Sequence, residues 1–185
     1  MSHPNPLKLL FIGNSHTYVN DLPVLVRELA REDGCEAQVV MIAHGGWYLF
    51  QHVKEPDVRF NIRFGGYDYV ILQEHSHPFD RIEDYKEAAG TLAGWAREAG
   101  ARPVIYGTWA MEAQEPEQER MNRVNRELAE ELGAIHAPVG ESWWAYKRSH
   151  PELNLYAEDG AHASLSGSEY AAKVIWDAIK EAIRR

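Results

Sequence analysis

The chain has 185 residues, 45% of them hydrophobic, which suits one domain (1–185) with a substantial core and leaves too little for two. Its formal net charge of −9 argues against an extended nucleic-acid footprint. No apolar run approaches the roughly 20 residues that a bilayer span needs, and a single cysteine, Cys35, rules out an internal disulfide.

The first strand is predicted over Leu7–Gly13, where Leu9-Leu10-Phe11-Ile12 reads as buried on both faces. Asn20-Asp21-Leu22-Pro23 opens a helix, with Asn or Asp as cap and Pro in the first turn, and Gly34 ends it. Gln38–Ala43 is a second strand, its Val39–Ile42 run again expected to be doubly buried. His44-Gly45-Gly46 breaks it, and a short helical segment follows from Trp47. Residues 54–66, with Pro56, Gly65 and Gly66, read as a loop. Tyr67–Gln73 is the third strand.

A helix is predicted from Arg81 to Ala99, a fourth strand over Pro103–Tyr106, a helix from Pro116 to Leu132, and a short fifth strand over Ala134–Pro138. Gly140–Arg148 reads as helix, of whose adjacent Trp143 and Trp144 at least one belongs to the core. The last helix starts near Ser166, since Ser166 and Glu169 have capping-box spacing. Five alternations of strand and helix predict an α/β fold. The expected form is a three-layer α/β/α sandwich around a five-stranded parallel sheet, in the flavodoxin-like order 2-1-3-4-5.

In such a sheet every strand ends on the same edge, where ligands bind. That edge receives Ser15, the Gly45-Gly46 pair, Gln73-Glu74-His75 and Trp109. Asp159-Gly-Ala-His162 precedes the last helix. Its spacing lets the carboxylate accept a hydrogen bond from the Nδ1–H of His162 and leave Nε2 facing a nucleophile. Ser is common in turns and Asp often caps one, so each piece alone has a plain structural explanation. Together they fit an acyl-transfer site. Gly45-Gly46 can bring a backbone N–H close to a ligand, and the Gln73 amide carries two donors for an oxyanion. The Ser15 N–H is a third.

Gly13-Asn14-Ser15, Gly45-Gly46, Leu72-Gln73-Glu74 and Asp159-x-x-His162 resemble, in order, the blocks of the SGNH/GDSL hydrolase superfamily. The superfamily's Gly-Asp-Ser stands here as Gly-Asn-Ser, and its third-block Asn as Gln73. These pieces look closest to a bacterial branch of SGNH-like domains that carries the same Gln. The resemblance implies esterase or deacetylase activity on small esters, often acylated sugars. By motif position it makes Ser15 the nucleophile, with His162 as base and Asp159 orienting it. It also makes Ser15, Gly46 (or Gly45) and Gln73 the oxyanion donors, with Asn14 as an alternative side-chain donor.

Trp47, Trp109 and His75, with Asn14 and Gly45, are expected to line the substrate, and His52 to face it or lie on the surface. A competing arrangement is a metal site from His44, His75, His77 and Asp80, with His52 in reach. A non-catalytic ligand-binding relative is a further alternative. The leading expectation is a cofactor-free enzyme acting on a small-molecule ester, without nucleic-acid or membrane partners and with its oligomeric state open. Met1–Leu7 has two prolines and no apolar core of signal-peptide length, so a cytoplasmic location is expected unless a signal has been trimmed.

Overall fold

The structure, a computed structural model, describes residues 6–184. The amino-terminal stretch that bears on a leader therefore lies mostly outside the described residues. Five parallel strands form one sheet in the order β2-β1-β3-β4-β5. They are β1 (Leu7–Gly13), β2 (Ala37–Ala43), β3 (Tyr69–Leu72), β4 (Arg102–Tyr106) and β5 (Ile135–Ala137). The helices are α1 (Ser15–Tyr18), α2 (Leu22–Glu32), α3 (Leu49–His52), α4 (Pro56–Phe64), α5 (Ile82–Glu98), α6 (Glu117–Glu131), α7 (Val139–Ser149) and α8 (Leu165–Arg184).

Alternation along β1 divides the interior into two cores. Leu7, Leu9 and Phe11 pack with α2, α7 and α8, while Leu10 and Ile12 pack with α3, α4, α5 and α6. This is the three-layer arrangement that the alternation predicts. Both faces of β1 are covered by these helices, and both its edges are paired, β2 and β3 flanking it in register, Leu10 against Val40 and against Val70. Each fully buried Leu or Ile adds about 1.5–3 kcal/mol to folding.

Three expectations need correction. β2 is an edge strand, so its apolar run is not doubly buried: Val40 and Met41 are about two-fifths exposed. Residues 56–64 form helix α4 rather than loop. Pro56 stands in its first turn, where the missing N–H costs nothing, and Gly65 ends it. Val58 and Ile62, one turn apart, bury the inner face. The last helix begins at Leu165, and its cap is Ser164, whose Oγ accepts the Gly167 N–H at 3.1 Å.

Asn20 and Asp21 adopt left-handed backbone angles before α2, and neither side chain caps it. Asn20 instead donates to the Ala163 carbonyl at 3.2 Å and to Ser168 Oγ at 3.0 Å, tying this corner to the start of α8. Trp143 is wholly buried and Trp144 nearly so. Among the described residues, no helix is long and apolar enough to cross a membrane.

Candidate active site

β1 ends at Gly13, and the chain turns at once into the short helix α1, whose first residue is Ser15. Asn14 makes the turn. Its Oδ1 accepts the His16 N–H at 3.1 Å, and its backbone carbonyl accepts from Thr17 and Tyr18. Gln73, directly after β3, braces the turn from below. Its Oε1 accepts the Asn14 N–H at 2.8 Å and the Thr17 hydroxyl at 2.8 Å, and its Nε2 donates to the Glu74 carbonyl. Only glycine fits at position 13. A Cβ there would lie 2.4 Å from Gln73 Oε1 and 2.5 Å from Thr17 Oγ1. Gly13→Ala is therefore expected to destabilise the fold by about 1–3 kcal/mol, measured by urea unfolding, and to displace Ser15.

The loop before α8 is a compact turn. Gly160 takes a left-handed conformation, and the Ala157 N–H donates to the His162 carbonyl at 2.8 Å. Asp159 Oδ1 accepts the N–H groups of Ala161 and His162, both at 2.9 Å. Asp159 Oδ2 lies 2.5 Å from His162 Nδ1, and His162 Nε2 lies 2.7 Å from Ser15 Oγ. A carboxylate only accepts, so Nδ1 carries the ring proton and Nε2 is free to accept from the Ser15 hydroxyl. The hydrogen bond from His162, followed by those from the backbone, holds the Asp159 carboxyl well below the usual carboxylate range. It stays ionised wherever His162 is neutral.

A second loop reaches the same edge. Asn14 Nδ2 donates to the Trp47 carbonyl at 2.9 Å, which fastens the Gly45-Gly46 turn beside Ser15. Gly46 has φ 71°, a left-handed angle that suits glycine. Among the described residues, no acceptor meets the N–H of Ser15 or of Gly46. The Gly13 carbonyl accepts from the His44 N–H at 3.1 Å and from His52 Nε2 at 2.8 Å. The turn that carries Ser15 is thus held from both neighbouring strands.

Several expected roles change. The Gln73 amide braces the turn through Oε1 and donates from Nε2 to the Glu74 carbonyl, and the Asn14 amide holds Trp47 and His16; each NH2 keeps one further N–H beyond these bonds. Gln73 is completely buried, and its amide lies under the turn that carries Ser15. His52 neither lines a substrate nor lies on the surface. It is buried against Gly13, and desolvation lowers its pKa to about 4. Trp109 is also fully buried and cannot contact a substrate directly. Trp47 and His75 remain partly exposed at the rim, where His75 stacks on Tyr48 at 4.2 Å.

The four residues of the metal alternative are dispersed. His44 packs on Trp47, His75 on Tyr48 and His77 on His16, while Asp80 faces solvent. No group of three or more His, Cys, Asp or Glu among the described residues is placed to hold a metal ion. His16 and Thr17 also belong to the site, His16 beside the His162 ring and Thr17 bonded to Gln73. Their only signal in the sequence is adjacency to Ser15 on one helical turn.

Glu74 supports the Gly46 loop from behind. Its carboxylate accepts the N–H of Leu49, at the start of α3, at 3.2 Å and that of His75 at 2.8 Å. Burial raises its pKa to about 7 despite these bonds. A carboxyl whose folded pKa is raised contributes stability that is full below about pH 4.5 and is lost as pH rises through 7. The loss by pH 8 is roughly 3 kcal/mol at most. Glu74→Gln should therefore flatten this part of the pH dependence. The difference in unfolding free energy between wild type and variant, followed from pH 5 to 8, checks it.

No family model and no curated protein matches the chain. Solved structures do. A protein of Slackia heliotrinireducens assigned as an SGNH hydrolase is 30% identical, with a TM-score of 0.82, over 95% of this chain and 100% of its own. The chain belongs to the SGNH hydrolases. Two more distant structures share the fold of this SGNH hydrolase. The lipase/acylhydrolase of Enterococcus faecalis is 18% identical with a TM-score of 0.75, covering 95% of this chain and 96% of its own. A mutant of Axe2, an acetyl-xylooligosaccharide esterase from Geobacillus Stearmophilus, is 18% identical with a TM-score of 0.72, covering 94% of each chain.

Proposed function

We propose that this SGNH hydrolase is a serine ester hydrolase that removes short acyl groups from small molecules, acylated carbohydrates foremost. The observation that carries the reading is the continuous link from Asp159 through His162 to Ser15, at 2.5 and 2.7 Å. In the proposed reaction Ser15 Oγ attacks the ester carbonyl while His162 Nε2 takes its proton. The oxyanion is held by the N–H groups of Ser15 and Gly46. Collapse expels the alcohol, which receives the proton from His162. Water, deprotonated by His162, then attacks the acyl-enzyme and releases the acid and Ser15. Each step uses a protein group or water.

Two features support a short acyl group on a polar alcohol. No stretch of the chain reads as a large lipid-covering lid, and the Asp159 side chain is half exposed, so the site opens directly onto solvent. Trp47 at the rim offers a face on which a sugar could stack. The name of Axe2 accords with this class of substrate. Turnover of a short-chain aryl ester, measured with and without a chelator, tests the reading. Chelator-resistant hydrolysis that falls away as the acyl chain lengthens is expected. Chelator-sensitive hydrolysis, or none from folded protein, would overturn it.

A further inference from the structure

Trp109, just beyond β4, lies under the triad turn. Its Nε1–H donates to the Ala161 carbonyl at 2.9 Å, and that carbonyl belongs to the peptide bond whose nitrogen is that of His162. The indole stacks on Trp143 of α7 at 4.0 Å and 8°, anchored in the core. The ring of His16 lies 5.3 Å from the indole and 5.1 Å from the ring of His162. His16 is itself held by Tyr106, whose hydroxyl donates to its carbonyl at 3.3 Å. Burial keeps the His16 ring neutral near pH 7. A row of rings therefore runs from the core to the base: Trp143, Trp109, His16, His162.

The triad turn needs such a support. Its internal hydrogen bonds fix its shape, but not its position against β1. The ties from outside include Asn20 to Ala163, the Glu112 N–H to the Gly160 carbonyl at 2.8 Å, His162 to Ser15, and Trp109 to the Ala161 carbonyl, which the His16 ring also meets. Of these, Trp109 acts on the peptide adjoining His162 and also backs the ring against which His162 rests. We propose that Trp109 is a positioning residue for hydrolysis: it holds the Ala161 carbonyl and backs His16, and so aims His162 Nε2 at Ser15. The proposal rests on the triad reading above.

The test replaces Trp109 by β-(3-benzothienyl)alanine, which keeps both rings and lacks the N–H. Trp109→Phe serves as a second variant. Wild type is first shown to hydrolyse a short aryl ester in a Ser15-dependent way; failure there overturns the triad reading and this proposal with it. Both variants are then expected to lose at least about 10-fold in kcat, toward the roughly 10²-fold that a 1 Å misplacement costs, with KM little changed. The downfield proton resonance of His162 Nδ1–H should shift or broaden in the same variants. If Trp109→Phe does not fold, the benzothienyl variant decides. Wild-type kcat with an unmoved resonance, or a rise in KM alone, would overturn the proposal.

Discussion

Ser15→Ala is expected to lower kcat by about 10⁴- to 10⁶-fold while leaving the melting temperature within about 2 °C of wild type. The rate effect follows from the proposed chemistry: without Oγ no acyl-enzyme can form, and only binding and the oxyanion donors remain. The small stability effect follows from position. Ser15 is partly exposed, and among the described residues Oγ hydrogen-bonds only to the ring of His162, itself one-third exposed. His162→Ala should lose a similar factor. The double variant should lose little more than either single one, because the two side chains perform one step together. Steady-state turnover of a short aryl ester measures all three variants. A wild-type rate in either single variant would remove the triad from the mechanism.

Gln73→Ala is expected to act mainly on the fold. The substitution removes the partner of the Asn14 N–H and of the Thr17 hydroxyl, both buried beneath Ser15, and leaves the Glu74 carbonyl, among the described residues, with the Ser76 hydroxyl alone. An unsatisfied buried polar group costs about 1–3 kcal/mol. Water entering the vacated space would recover part of that, so a net loss of about 2–4 kcal/mol is expected. For a chain of this length that lowers the melting temperature by about 4–16 °C. A side-chain oxyanion donor would behave differently: its loss leaves a stable protein whose kcat falls about 10²- to 10³-fold. Thermal unfolding of Gln73→Ala, run beside its kinetics, separates a brace from a donor. A variant as stable as wild type would restore Gln73 to the oxyanion site.

Much of this fold is legible in the residues. The continuous apolar run of β1 fits a strand flanked on both sides, and the strand–helix alternation gives the sheet order. The errors share a cause, which is that local composition does not state tertiary position. Val40 and Met41 are the same residue types that fill a central strand, yet β2 has a neighbour on one side only. Pro56 and Gly65 look like breakers, but each stands at an end of α4 where it is tolerated. The site divides in the same way. Asp159 and His162 are three residues apart, so their bond could be read from spacing. The direction of the Gln73 amide depends on Asn14 and Thr17, more than fifty residues away in sequence. The contacts of Trp109 with His16 and Ala161 are likewise long-range.

In the proposed mechanism Ser15 is a nucleophile activated by His162, and peptide mapping after treatment with a fluorophosphonate reads this out. A single phosphonyl group is expected on Ser15, formed rapidly in wild type and very slowly in His162→Ala. Modification of a different residue, or no modification of folded wild-type protein that hydrolyses esters, would contradict it.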